Sequence, residues 1–125
     1  MIIEIIPCLS DNYSYLINEK ETNTISIVDP AEFKACDKVI NKYKKLDFIL
    51  NTHHHADHVG ANLELKKKYN SKILGPDSDK DRIPGIDIFL RENQKQKIGN
   101  LEFEVILIPG HTKGHIAFFF VRKKS

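Results

Sequence analysis

Seven consecutive residues, Thr52-His53-His54-His55-Ala56-Asp57-His58, constrain this chain more than any other stretch. Five of them are potential metal ligands, and four of the chain's six histidines are among them. The preceding residues 46–50 form a short apolar run of strand type, and residues 59–69 read as a helix. A ligand-rich turn between a strand and a helix is a common place for a site in an α/β protein. In extended chain, residues two apart point the same way, so His53 and His55 face one point and His54 faces away. Asp57 and His58 open the helix, where neighbours diverge by about 100°, so they need not serve the same ion. The spacing therefore suggests two adjacent metals, with His53 and His55 on one and Asp57 and His58 on the other. Imidazole and carboxylate ligands suit zinc, iron or manganese. The competing reading, a polar loop with chance histidines, leaves the density and placement of the ligands unexplained.

The rest of the composition narrows the classes. A chain of 125 residues makes one domain at most, though it is long enough for a real core. With 41% hydrophobic and 29% charged residues it reads as globular rather than disordered. A net charge of +2 makes no case for nucleic acid, and the basic clusters Lys44-Lys45, Lys66-Lys67-Lys68 and Arg122-Lys123-Lys124 read as solvated faces. No apolar run approaches the ~20 residues of a membrane span. The first seven residues carry Glu4 and no basic cluster, unlike a signal peptide. Cys8 and Cys36 form no C-x-x-C pair and are expected to be free, buried thiols of a cytoplasmic protein.

In chain order, strands are expected over residues 2–6 (stopped by Pro7), 13–18 and 24–28. Asp29-Pro30 reads as the N-cap and first position of a helix over 31–43. In the second helix Val59 and Leu63 are expected to face the core. A short strand at 72–74 leads to a fixed, irregular loop, Ile83-Pro84-Gly85-Ile86. Weak edge strands follow at 87–90 and 96–98, then strands at 101–108 and 116–121. The last is nearly all apolar and is expected to be buried on both faces. His111, just after Pro109-Gly110, is read as a metal ligand. His115, at the start of the last strand, is read as a structural or hydrogen-bonding support.

Together these residues resemble the metallo-β-lactamase superfamily. That pattern is an Asp after an early strand, then H-x-H-x-D-H, then a His after a Gly: here Asp29, then His53, His55, Asp57 and His58, then His111. The resemblance narrows to the glyoxalase II (hydroxyacylglutathione hydrolase) family. It does so through Ile5-Ile6-Pro7, Ser10-Asp11-Asn12-Tyr13, Val28-Asp29-Pro30-Ala31, Arg82-Ile83-Pro84-Gly85-Ile86 and Pro109-Gly110-His111-Thr112. It implies an α/β fold, the N-terminal part of an αββα sandwich. It implies two divalent metals, zinc before iron or manganese. His53, His55 and His111 would hold one, Asp57 and His58 would help hold the other, and Asp29 would orient a ligand histidine. His54 has no ligand role in that pattern. The implied reaction is hydrolysis of an S-(2-hydroxyacyl)glutathione such as lactoylglutathione, with Asp57 as the catalytic group that orients the attacking water. The family's bridging aspartate and last histidine lie downstream of the His111 position. Here 14 residues follow His111, with no Asp and only His115 among them. The chain is therefore expected to be an incomplete sandwich with one tight metal site, weakly active or inactive alone, and prone to self-association through an uncovered sheet face. The alternatives are an inactive metal-binding fragment and a single-iron persulfide dioxygenase on the same fold.

Overall fold

The computed structural model describes residues 2–9, 12–53, 59–107 and 116–120. Its first sheet is built from strands β1 (Ile2–Cys8), β2 (Asn12–Glu19), β3 (Thr24–Val28), β4 (Phe48–Leu50), β5 (Lys72–Pro76) and β6 (Ile88–Leu90), hydrogen-bonded in that order. β1 to β3 form an antiparallel meander, and β3 to β6 run parallel. Helix α1 (Phe33–Ile40) links β3 to β4, and α2 (Asn62–Tyr69) precedes β5. A second, antiparallel sheet holds β7 (Lys95–Ile98), β8 (Leu101–Leu107) and β9 (Ile116–Phe120).

Alternation along each strand explains the layers. In β3, Ile25 and Ile27 point to the helices and join Leu16, Ile49 and Ile73 with Cys36, Ile40 and Leu65 in one core. The opposite face of the same sheet supplies Ile17, Leu50, Leu74 and Leu90, which pack against Ile98, Phe103, Val105 and Ile116 of the second sheet. The sequence thus builds three layers: helices, a six-stranded sheet, and a three-stranded sheet.

Several elements differ from expectation. β1 runs through Pro7 because it is the edge strand among the described residues, and a proline there forfeits no ladder bond when its nitrogen faces outward. α1 begins at Phe33, not Ala31, and Glu32 at its N-cap makes no side-chain capping bond. α2 begins at Asn62, and its buried positions are Asn62 and Leu65, while Leu63 is exposed. β9 is buried on one face only: Ile116 packs inward while Phe119 is 60% exposed. Lys66 and Lys68 are not merely solvated: Lys66 pairs with Asp87 at 2.8 Å and Lys68 with Asp37 at 2.7 Å. The 83–86 loop is fixed as expected. Ile83 is buried, Lys66 Nζ donates to the Gly85 carbonyl at 2.8 Å, and Gly85 adopts φ +74°. Gly75 lets this loop close, since a Cβ there would lie 2.7 Å from Ile83 Cδ1.

Candidate metal centre

Parallel strands β3 and β4 are neighbours, with Val28 opposite Leu50. Their carboxyl ends therefore deliver Asp29 and the Asn51-Thr52-His53 run to the same edge of the sheet, the usual place for an α/β site. Asp29 leaves β3 in the left-handed region (φ +50°), and its N–H donates to the Leu50 carbonyl at 2.8 Å. That turn carries its carboxylate across to β4 rather than forward onto α1. The expected capping role of Asp29 is thus replaced. Thr52 N–H donates to Asp29 Oδ1 at 2.8 Å, and Thr52 Oγ1 donates to Oδ2 at 2.6 Å.

Thr52 Oγ1 also lies 2.8 Å from His53 Nδ1. A hydroxyl has one proton. Since Asp29 accepts it, Thr52 must accept from His53, which places the imidazole proton on Nδ1. His53 is thereby held in the tautomer whose Nε2 carries a lone pair, the form a metal ligand needs. The ring is 4% exposed, so its orientation is set by packing as well as by this bond. The donor chemistry fits a divalent metal, and Asp29 orients a histidine as expected, through Thr52 rather than directly.

The chain is anchored on either side of residues 54–58. Asn51 and Asn62, both fully buried, exchange side-chain bonds: Asn62 Nδ2 to Asn51 Oδ1 at 2.6 Å and Asn51 Nδ2 to Asn62 Oδ1 at 3.3 Å. Asn62 Nδ2 also reaches the Pro84 carbonyl at 3.3 Å. The Ala61 N–H donates to the Pro30 carbonyl at 3.0 Å. Sequence reasoning missed this pair; the only signal was an Asn on each side of the histidine stretch. Across the sheets, the Ile116 N–H donates to the Thr52 carbonyl at 2.9 Å, tying the start of β9 to the residue before His53. An apolar cleft of about 310 Å³ opens beside Thr52, lined among others by Tyr15, Val28, Ile116 and Phe118.

Of the expected site residues, His53 and Asp29 are brought together as described. His54, His55, Asp57, His58, His111 and His115 lie outside the described residues. Among the described residues no three of His, Cys, Asp or Glu converge as a metal-holding group.

Two packed sheets, helices on the outer face and an oriented histidine at the ends of parallel strands define a metallo-β-lactamase-type protein. Residues 12–124 match the profile of the metallo-beta-lactamase superfamily, and the chain belongs to it. More particularly, it is 48% identical over 126 residues to the hydroxyacylglutathione hydrolase of Pelagibacter ubique, covering all of this chain and 53% of that relative. It is 44% identical over 127 residues to the hydroxyacylglutathione hydrolase of Rippkaea orientalis, covering 100% of this chain and 49% of that relative. The chain thus spans about half the length of the curated relatives it matches. Its fold is similar to crystal structures of ETHE1 from Myxococcus xanthus and of the BLEG-1 B3 metallo-beta-lactamase. The first has a TM-score of 0.81 and 24% identity over 96% of this chain and 54% of that one. The second has 0.82 and 20% over 95% and 67%. Among the described residues no helix is long and apolar enough to cross a membrane.

Proposed function

We propose that this chain is the metal-holding half of a hydroxyacylglutathione hydrolase of the glyoxalase II type. Such an enzyme cleaves an S-(2-hydroxyacyl)glutathione, lactoylglutathione being the type substrate, to a 2-hydroxy acid and glutathione. The observation that carries this is the Asp29–Thr52–His53 relay, which orients the His53 ring where β3 and β4 end. The identity to hydroxyacylglutathione hydrolases over the whole chain supports it. The solved-structure likenesses are of fold and do not favour the single-iron alternative. We place the protein in the cytoplasm, as its two free thiols suggest.

In this reading His53, His55 and His111 hold one divalent metal, and Asp57 and His58 contribute to a second. A bound metal would supply Lewis acidity and a water acidified to a pKa of about 7. The chain's own residues do the positioning. Asp29, through Thr52, fixes the His53 ring. The Asn51–Asn62 pair ties together the chain before and after the stretch that includes His55, Asp57 and His58. Asp57 orients the attacking water by accepting its hydrogen bond. The leaving thiolate needs no strong general acid, since thiols ionise near pH 8.5.

Two measurements test this. Elemental analysis after dialysis against a mild chelator should find at most one tightly held zinc-type ion per chain. His111→Ala should lower that content, while His54→Ala should not. Two retained ions would refute the single tight site, and equal effects of the two substitutions would refute the ligand assignment. In a thioester assay the 125 residues should hydrolyse lactoylglutathione barely above the uncatalysed rate. Misplacing reacting groups by about 1 Å costs on the order of 100-fold, and the partners of Asp57 and His58 lie in the half of the relatives not matched here. Turnover at the level of a full-length relative would show that this half suffices.

A further inference from the structure

The two cysteines take no part in the site above, yet the fold brings them together. Cys8 closes β1, Cys36 lies in α1, and their sulfurs are 3.7 Å apart. They are the chain's only cysteines, and they are 2% and 0% exposed. A disulfide has an S–S length of about 2.05 Å, so closure asks each sulfur to travel less than about 1 Å, within reach of side-chain rotation. Ser14 packs against the pair. Its Oγ lies 3.4 Å from Cys8 Sγ, donates to the Asp29 carbonyl at 2.8 Å and accepts from the Ala31 N–H at 3.3 Å. Burial pushes the Cys36 thiol up to about 12, so that thiol is unreactive while the core is shut. Access comes from the strand side. Among the described residues β1 pairs only with β2, and Cys8 is followed by exposed Leu9 in the left-handed region (φ +53°). Fraying of that edge uncovers Cys8 before Cys36.

We propose that Cys8 and Cys36 are a redox staple: a buried dithiol that closes to a disulfide by exchange with a low-molecular-weight disulfide and so clamps edge strand β1 onto helix α1. The Cys8 thiolate attacks one sulfur of the external disulfide, forming a mixed disulfide and releasing one thiolate. Cys36 gives its proton to that thiolate, attacks the Cys8 sulfur and expels the second thiolate, which takes the proton Cys8 lost. Two protein thiols are oxidised to one disulfide, and one external disulfide is reduced to two thiols. The fold favours the second step because the sulfurs already meet, whereas in the unfolded chain 28 residues of sequence separate them.

The test equilibrates the whole chain with glutathione and glutathione disulfide at graded ratios, quenches with acid, alkylates in denaturant and reads the mass. The folded chain should convert to a species with two hydrogens fewer, no alkylated cysteine and no glutathione adduct. Its midpoint should lie at a ratio of disulfide to squared thiol at least about tenfold lower than for the same chain in urea, or about 30 mV. Cys36→Ala should give only a glutathione adduct on Cys8, and Cys8→Ala should resist oxidation under native conditions. A stable mixed disulfide in the wild type, equal midpoints folded and unfolded, or no oxidation of the folded chain at any ratio would each overturn the staple.

Discussion

Thr52 has one hydroxyl proton to give, and Asp29 takes it. Everything asserted about the His53 tautomer follows from that count. Thr52→Val keeps the backbone bond from residue 52 to Asp29 but removes the hydroxyl, so nothing then fixes the proton on Nδ1. Loss of such supporting bonds costs metal affinity by about 10–100-fold, and competition with a chromogenic chelator should show a fall of that order for Thr52→Val. Unchanged affinity would mean that packing alone orients the ring. The histidine stretch was legible in the sequence because its ligands are contiguous and sit between a strand and a helix. The role of Asp29 as an orienting group was legible only through family resemblance. Its partner was not, because a left-handed turn at Asp29 sends the carboxylate sideways, and no local pattern announces that.

The elements are fastened by two repeated devices, each a Lys-Tyr dipeptide gripping a distant carboxylate. Lys42 Nζ reaches Glu4 at 2.7 Å with Tyr43 on the other oxygen, joining the end of α1 to β1. Lys68 Nζ reaches Asp37 at 2.7 Å, again with the neighbouring Tyr69, joining α2 to α1. Hydrogen bonds from Lys42 and then Tyr43 hold the Glu4 carboxyl below its ordinary value. Burial pushes the Asp37 carboxyl up, but the bonds from Lys68 and Tyr69 outweigh it and leave it lowered. A carboxyl lowered by folding contributes stability above its unfolded pKa and loses it as pH falls through the folded one. Urea midpoints should therefore drop from about pH 5 downward, and Asp37→Asn should lose midpoint less steeply over that window. An identical slope in the variant would show that solvent screens the α1–α2 clamp to nothing. Strand and helix types were readable from apolar periodicity, as in the alternation of Ile25 and Ile27 in β3. Helix starts were not: Leu63 and Leu65 look alike in sequence, and only the three-residue delay in α2 decides which is buried.

At the scale of the molecule, the question is what covers the inner face of the large sheet. The chain answers for the centre, where β7 to β9 pack on Ile17, Leu50 and Leu74. The expectation of an uncovered sheet face is corrected to that extent. The cover stops short of the meander. Ile3, Ile5, Tyr13 and Tyr15 share one face of β1 and β2, and Ile5 is 63% and Tyr13 56% exposed. On the far side of the small sheet, Ile106 and Phe119 are exposed as well. Among the described residues β9 is also an edge strand of the small sheet, its outer side met at its start by the Thr52 carbonyl, which accepts from the Ile116 N–H. Apolar patches beyond a few hundred Å² are uncommon on monomers, and here two faces and an open edge lie together on a chain that spans about half of its relatives. The 125 residues should therefore bind a hydrophobic dye and self-associate in light scattering. Ile5→Lys, which places a charge on the open face without touching either core, should reduce both. A dye-silent, monodisperse wild type with a sharp cooperative melt would show that these residues close their own surface and need no further sheet.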